Sequence, residues 1–259
     1  MIYRSHLKNY LKLSLIYLAL IFMTTTIFLS LYPSYLENES NLRAIYNALS
    51  PTILSILKID QLSFSNILYY YAIYLNLGLI LYLLLATHLA IKTIHDDNIY
   101  LKIFITKPLK KSTYLKKKIG LALLNILGLN ILMYLYLITY LSFYDVSSLY
   151  LTLFLIQLAI FLASLTIYSI VLAVAAFIKK NSLTILVALA LLAFFVILSI
   201  IYKVTNFKPL AYICPLCYFD YLKIILNHTL GLDYLASIVV ISVFGLNLAL
   251  CESEGEAYV

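Results

Sequence analysis

The side chains of this sequence best suited to chemistry are four histidines, three cysteines and one adjacent carboxylate pair. His6, His88, His95 and His228 stand at no metal-ligand spacing, and only His88 and His95 are near each other. There is no His-Glu-x-x-His helix, no phosphate-cradling Gly-rich loop ending in Lys-Ser or Lys-Thr, and no Gly-x-Ser-x-Gly elbow. Two adjacent aspartates, Asp96 and Asp97, make a poor metal site, and an acidic pair so placed suits a helix N-cap better. Cys214-Pro215-Leu216-Cys217 is the one cysteine motif. Its spacing is compatible with two separate thiols, a local disulfide or a redox or metal role, although Asp220 is the only further ligand type nearby. Neither a nucleophile with a neighbouring base nor a metal set emerges, so no enzyme activity and no cofactor of its own are expected.

The elements that carry these residues are dictated by composition. Hydrophobic residues make up 64% of the 259 and charged residues 11%, where soluble domains hold roughly half and a quarter. Apolar runs exceed the roughly 18 residues that mark a membrane-spanning helix. The expected fold is an all-α integral membrane protein, one transmembrane domain over 1–259, with six spans near 13–32, 67–91, 119–142, 149–178, 182–202 and 233–250. The fourth is long enough to tilt or to break near Ser164 or Ser169. The first run ends in Ser30-Leu31-Tyr32-Pro33 rather than a small-residue cleavage site, and reads as a retained span. Six spans of about 20 residues leave no room for a soluble catalytic domain.

No Asp, Glu, Lys or Arg is expected deep inside a span, which argues against proton-coupled antiport and against a charge-lined channel. Polar residues that do fall within spans, Asn76, Asn125, Asn130, Gln157, Ser164, Thr166 and Asn247, are expected to hydrogen-bond between helices.

Charge fixes the expected orientation. Six spans put both termini on one side, and that side carries thirteen of the eighteen basic residues. The other side holds Arg43, Lys58, Lys203, Lys208 and Lys223. By the positive-inside rule the basic side is cytoplasmic and the protein is a multi-pass plasma-membrane protein. Arg4, Lys8 and Lys12 recur every four residues opposite Tyr3, Leu7, Tyr10 and Leu11, the pattern of a helix lying in the cytoplasmic interface before the first span. In the first outer loop, Leu42 to Leu57 follows helical spacing interrupted by Pro51. This predicts either a kink or a second short helix capped by Ser50 with Pro51 at its first position. Tyr69 to Tyr71, Tyr140 and Tyr144 fall at outer interfaces, where amphipathic rings belong. Asn38-Glu39-Ser40 and Asn227-His228-Thr229 are glycosylation sequons on the same outer side.

The remaining basic segment is unusual: seven of the seventeen residues from 102 to 118 are lysines, set between two apolar spans. The stretch His95 to Gly120 resembles the cytoplasmic connection between the second and third spans of type 2 ABC exporter permeases. There, an acidic residue or pair, a short helix, a proline turn, a basic residue and a lysine opening the next span follow one another. The matching positions are Asp96 and Asp97, Leu101 to Ile105 (with Phe104 between them), Pro108, Lys111 and Lys118. Asp replaces the usual Glu, Asn98 stands near the usual Gly, and Lys111 replaces a common Arg without its bidentate fork. Cys214 to Leu222 is similar to the Pro-x-x-Tyr-Phe-Asp stretch before the last span of such permeases, while the acidic tail with Glu252, Glu254 and Glu256 departs from their basic one.

The resemblance implies a permease subunit of an exporter. It would pair with a second permease copy, as a homo- or heterodimer, and with separate ATP-binding subunits that hold the ATP and magnesium. The short helix would be the coupling helix that docks into the ATP-binding subunit. Membrane lipid is the other expected partner, and no nucleic acid is expected. A small secondary transporter or channel, an intramembrane enzyme and a membrane anchoring protein are the competing readings. The uncharged spans oppose the first, and the absence of paired carboxylates or histidines within spans opposes the second.

Overall fold

In a computed structural model, the structure describes residues 2–38, 44, 48–57, 66–95, 111–144, 150–178, 180–230 and 234–255, and these contain helices and no strand. In chain order the helices are α1 (Ile2–Ser30), α2 (Tyr32–Glu37), α3 (Pro51–Leu57), α4 (Ile67–His95), α5 (Lys111–Leu141), α6 (Tyr150–Phe177), α7 (Asn181–Thr205), α8 (Lys208–Ile213), α9 (Tyr221–Asn227) and α10 (Leu235–Gly255). Six of them, α1, α4, α5, α6, α7 and α10, are long and apolar enough to cross a bilayer. Backbone groups have no water to bond in hydrocarbon, so each long apolar run closes its hydrogen bonds within its own helix.

The observed limits match the expected spans closely at 67, 150 and 181, and differ where charged residues continue a helix. The basic N-terminal segment forms no separate interfacial element: α1 is uninterrupted from Ile2 to Ser30. Helix α5 begins at Lys111, two turns before the apolar run, and α6 shows no break at Ser164 or Ser169. Between α2 and α4, α3 begins at Pro51, and the Ile53 N–H donates to Ser50 Oγ at 3.4 Å, so Ser50 caps the short helix.

Side-chain contacts define two ends of the bundle. At one end Tyr10 of α1 meets Thr93 of α4, Ser14 of α1 meets Asn125 of α5, and His95 of α4 meets Thr184 of α7. At the other, Thr26 meets Tyr136, Phe28 stacks on Tyr70 at 4.4 Å, and Thr152 bonds His228. The spans therefore run up and down in alternation, with Ile2 and Gly255 at the same end. That end also holds Lys8, Lys12, Lys92, Lys116 to Lys118 and Lys180, and is called the basic end below.

Burial separates an inner pair of helices from an outer ring. The most apolar stretches of α4 and α6 are 61% and 67% buried, against 22% to 33% for the other four. Helix α6 packs most extensively on α10 and α4, while α7 touches its neighbours sparsely. Leu186, Phe194, Ile197 and Val204 of α7 and Val240 and Phe244 of α10 are exposed, as suits lipid-facing or subunit-facing surfaces.

Candidate functional site

The residues matched to a coupling segment divide into two groups. Asp96, Asp97, Leu101, Phe104, Ile105 and Pro108 lie outside the described residues. Lys111 is the first residue of α5, and Lys118 lies two turns further along the same helix. Lys118 is 3% exposed, with its ammonium 5.6 Å from the centroid of the Tyr114 ring. Such a site favours a cation held over an aromatic face. Lys118 is thus buried within the bundle, not presented at its rim.

Around that end the spans are tied by hydrogen bonds that individual helix periods do not reveal. The Tyr10 hydroxyl donates to Thr93 Oγ1 at 3.1 Å, and Thr93 Oγ1 also lies 3.2 Å from the Tyr168 hydroxyl, which joins α1, α4 and α6. Lys92 Nζ donates to the Asn9 carbonyl at 3.3 Å. His95 Nε2 lies 2.9 Å from Thr184 Oγ1, and His88 Nδ1 lies 2.5 Å from the Tyr17 hydroxyl. These histidines link pairs of helices. Among the described residues no group of three or more His, Cys, Asp or Glu side chains could hold a metal ion.

Of the polar span residues expected to bond between helices, Asn76, Asn125 and Gln157 do so, to Lys203, Ser14 and Tyr71. Asn130 Nδ2 and Thr166 Oγ1 turn back to carbonyls of their own helices, at 2.9 Å each. Tyr70 and Tyr71 also depart from an interfacial belt. Tyr71 is fully buried, and Tyr70 packs against Phe28, Tyr32 and Tyr35. They form an internal aromatic cluster at the end opposite the basic one.

That opposite end also contains a polar cavity. Asn206 closes α7 in the left-handed conformation (φ 54°), donating its N–H to the Tyr202 carbonyl. Pro209 then starts α8 and Pro215 a short 3-10 turn, positions where the missing N–H costs nothing. The turn folds the segment back into the bundle, burying Cys214, Cys217, Tyr218, Phe219 and Tyr221. The Cys214 thiol donates to the Phe195 carbonyl at 3.3 Å, and Cys214 and Cys217 form no disulfide. The neighbouring Cys217 and burial push the Cys214 thiol well above its ordinary pKa, and burial raises Tyr218 and Tyr221. These groups are neutral at physiological pH.

Beyond the turn, Tyr202, Tyr218, Asp220, Lys223, Asn227 and Tyr234 line a cavity of about 220 Å³. A smaller space of about 40 Å³ shares Tyr202, Cys217, Phe219 and Asp220 with it and adds Asn76 and Lys203. Lys203 Nζ donates to Asn76 Oδ1 at 3.0 Å, which fixes the end of α7 to α4. Opposite charges and neutral hydroxyls on one wall equip this place for binding. Sequence reasoning found the Cys214 to Leu222 stretch by its cysteine motif and by resemblance; Lys203, Lys223 and Asn76 had no signal linking them. The chain matches no protein-family model, no curated protein and no solved structure.

Proposed function

We propose that this chain is the membrane-spanning permease subunit of an ATP-dependent ABC exporter. The connection from 96 to 110 supports this reading most directly. It joins α4 to α5 at the basic end and carries the acidic pair, apolar residues and proline that resemble a coupling segment. The six-helix, up-and-down arrangement is compatible with it. The broad exposed apolar faces of α1, α7 and α10 suit lipid and a second permease copy.

On this reading the basic end is cytoplasmic, in keeping with positive-inside placement in the plasma membrane. ATP and magnesium bind the separate ATP-binding subunits. Their closure moves the coupling segment, and the two permease copies expose the path between them alternately to each side. This chain hydrolyses nothing itself. Affinity purification of the tagged chain from its native membrane tests the proposal. An ATP-binding subunit should co-purify, and substoichiometric or absent ATPase in every mild detergent tried would overturn it.

A further inference from the structure

We propose that α10 pairs with α10 of a second copy of this chain, along a seam centred on Asn247. The inference gives the second copy expected above a definite face, and it holds whether or not an ATP-binding subunit is present.

One amide carries the argument. Asn76, Asn125, Asn130 and Gln157, the other amides named within the spans, are each bonded inside the bundle. Asn247 is exposed, and its side chain has no hydrogen-bond partner among the described residues. Helical spacing puts it at the centre of the outward face. Ala236, Val240, Val243, Asn247 and Cys251 recur every three or four residues, and all are exposed. Ile238, Ser242, Gly245 and Ala249 are buried on the opposite side, where Gly245 meets α6. Helix α10 packs mainly on α6 and α5, which leaves its outward face open to a partner.

Depth limits what can satisfy this amide. The span Leu235–Glu252 has 18 residues, about 27 Å of helix against a hydrocarbon layer of about 30 Å. Asn247 stands more than one turn before Glu252 and so lies within that layer. Acyl chains offer neither donor nor acceptor, and an unbonded amide in hydrocarbon is costly. An amide carries both groups, so two copies of Asn247 can bond each other across a two-fold axis. Copies inserted in one orientation share an axis along the membrane normal, which sets the two α10 helices parallel. Val240, Val243 and Phe244 then pack beside the amide pair, and Cys251 approaches its counterpart at the aqueous end of the row.

Mild oxidation of the full chain in dioleoyl phosphatidylcholine vesicles tests the seam. A disulfide-linked dimer should form through Cys251 and vanish in a Cys251→Ser control. Fluorescence energy transfer between labelled copies, followed over increasing lipid dilution, measures association without any disulfide. Asn247→Leu should weaken that association about tenfold, the worth of one interhelical hydrogen bond. Its unfolding midpoint in detergent should match the parent, because the side chain bonds to nothing in its own bundle. A parent that stays monomeric at every dilution, or a dimer that never bridges through Cys251, overturns the proposal. So does parental association of Asn247→Leu, or a lowered midpoint in that variant.

Discussion

Gly245 of α10 crosses Ser169 of α6 so closely that a Cβ at 245 would lie 2.6 Å from the Ser169 carbonyl oxygen. Ser242 and Ala249, one turn to either side, are buried as well. Small residues at such spacing let two backbones approach, and dispersion then holds the helices where lipid offers no hydrophobic drive. Here the obstacle is backbone, which cannot move aside. Gly245→Leu should therefore cost about 1–3 kcal/mol through overpacking and lower the unfolding midpoint in detergent. Gly128→Leu, where nothing lies within 4 Å of an added Cβ, is the matched control and should leave the midpoint unchanged or raised. Equal effects at the two positions would contradict this crossing.

The proposed orientation places the basic end in the cytoplasm. In a Cys-free background, Ser40→Cys should react with an impermeant thiol reagent in intact cells, and Lys110→Cys only after permeabilisation. The reverse pattern would invert the assignment.

The natural thiols should differ in reactivity. Cys251 is exposed, while Cys214 and Cys217 are buried. Thiolate is the reacting species, and the raised Cys214 pKa keeps that group protonated through pH 8 and above. Titration of the native protein should modify one equivalent rapidly and three after denaturation. Rapid native reaction of all three would contradict the burial of the Cys214 turn. Without metal partners around them, the double variant Cys214→Ser, Cys217→Ser should insert and function as the parent does.

If 96–110 couples the chain to an ATPase, apolar anchors should carry the docking energy. Leu101→Ala with Phe104→Ala should release the ATP-binding subunit, since truncating a buried interface anchor typically costs about 2 kcal/mol or more. Single replacements of Lys110 or Lys116 should weaken association modestly, and more at low salt, where exposed charges are least screened. Pro108→Ala should preserve binding and impair transport, because proline holds its preceding residue out of the helical region and so would end a coupling helix there. A pull-down paired with efflux rates separates these effects; parental behaviour of the Leu101/Phe104 variant would reduce the segment to a topogenic role.

Much of the architecture was legible in the sequence because it is local. Each span is a run of apolar residues long enough to cross a bilayer, and a helix in lipid satisfies its backbone without help from elsewhere. The order of the six spans, the shared side of the termini and the Ser50-Pro51 helix start all rest on such short-range rules. Partner choice does not. Asn125 and Asn130 sit five residues apart on one helix, yet the first accepts a bond from Ser14 and the second turns back to its own backbone. Tyr70 and Tyr71 carry the side chains of an interfacial belt but fill an internal cluster, because α1 and α6 pack over them. Lys203 and Asn76, 127 positions apart, meet only because α7 ends beside α4. The cavity around Asp220 exists because two prolines and the left-handed Asn206 fold the segment after α7 back against those helices. Which faces meet is set by packing among all six spans, and that information is distributed over the whole chain.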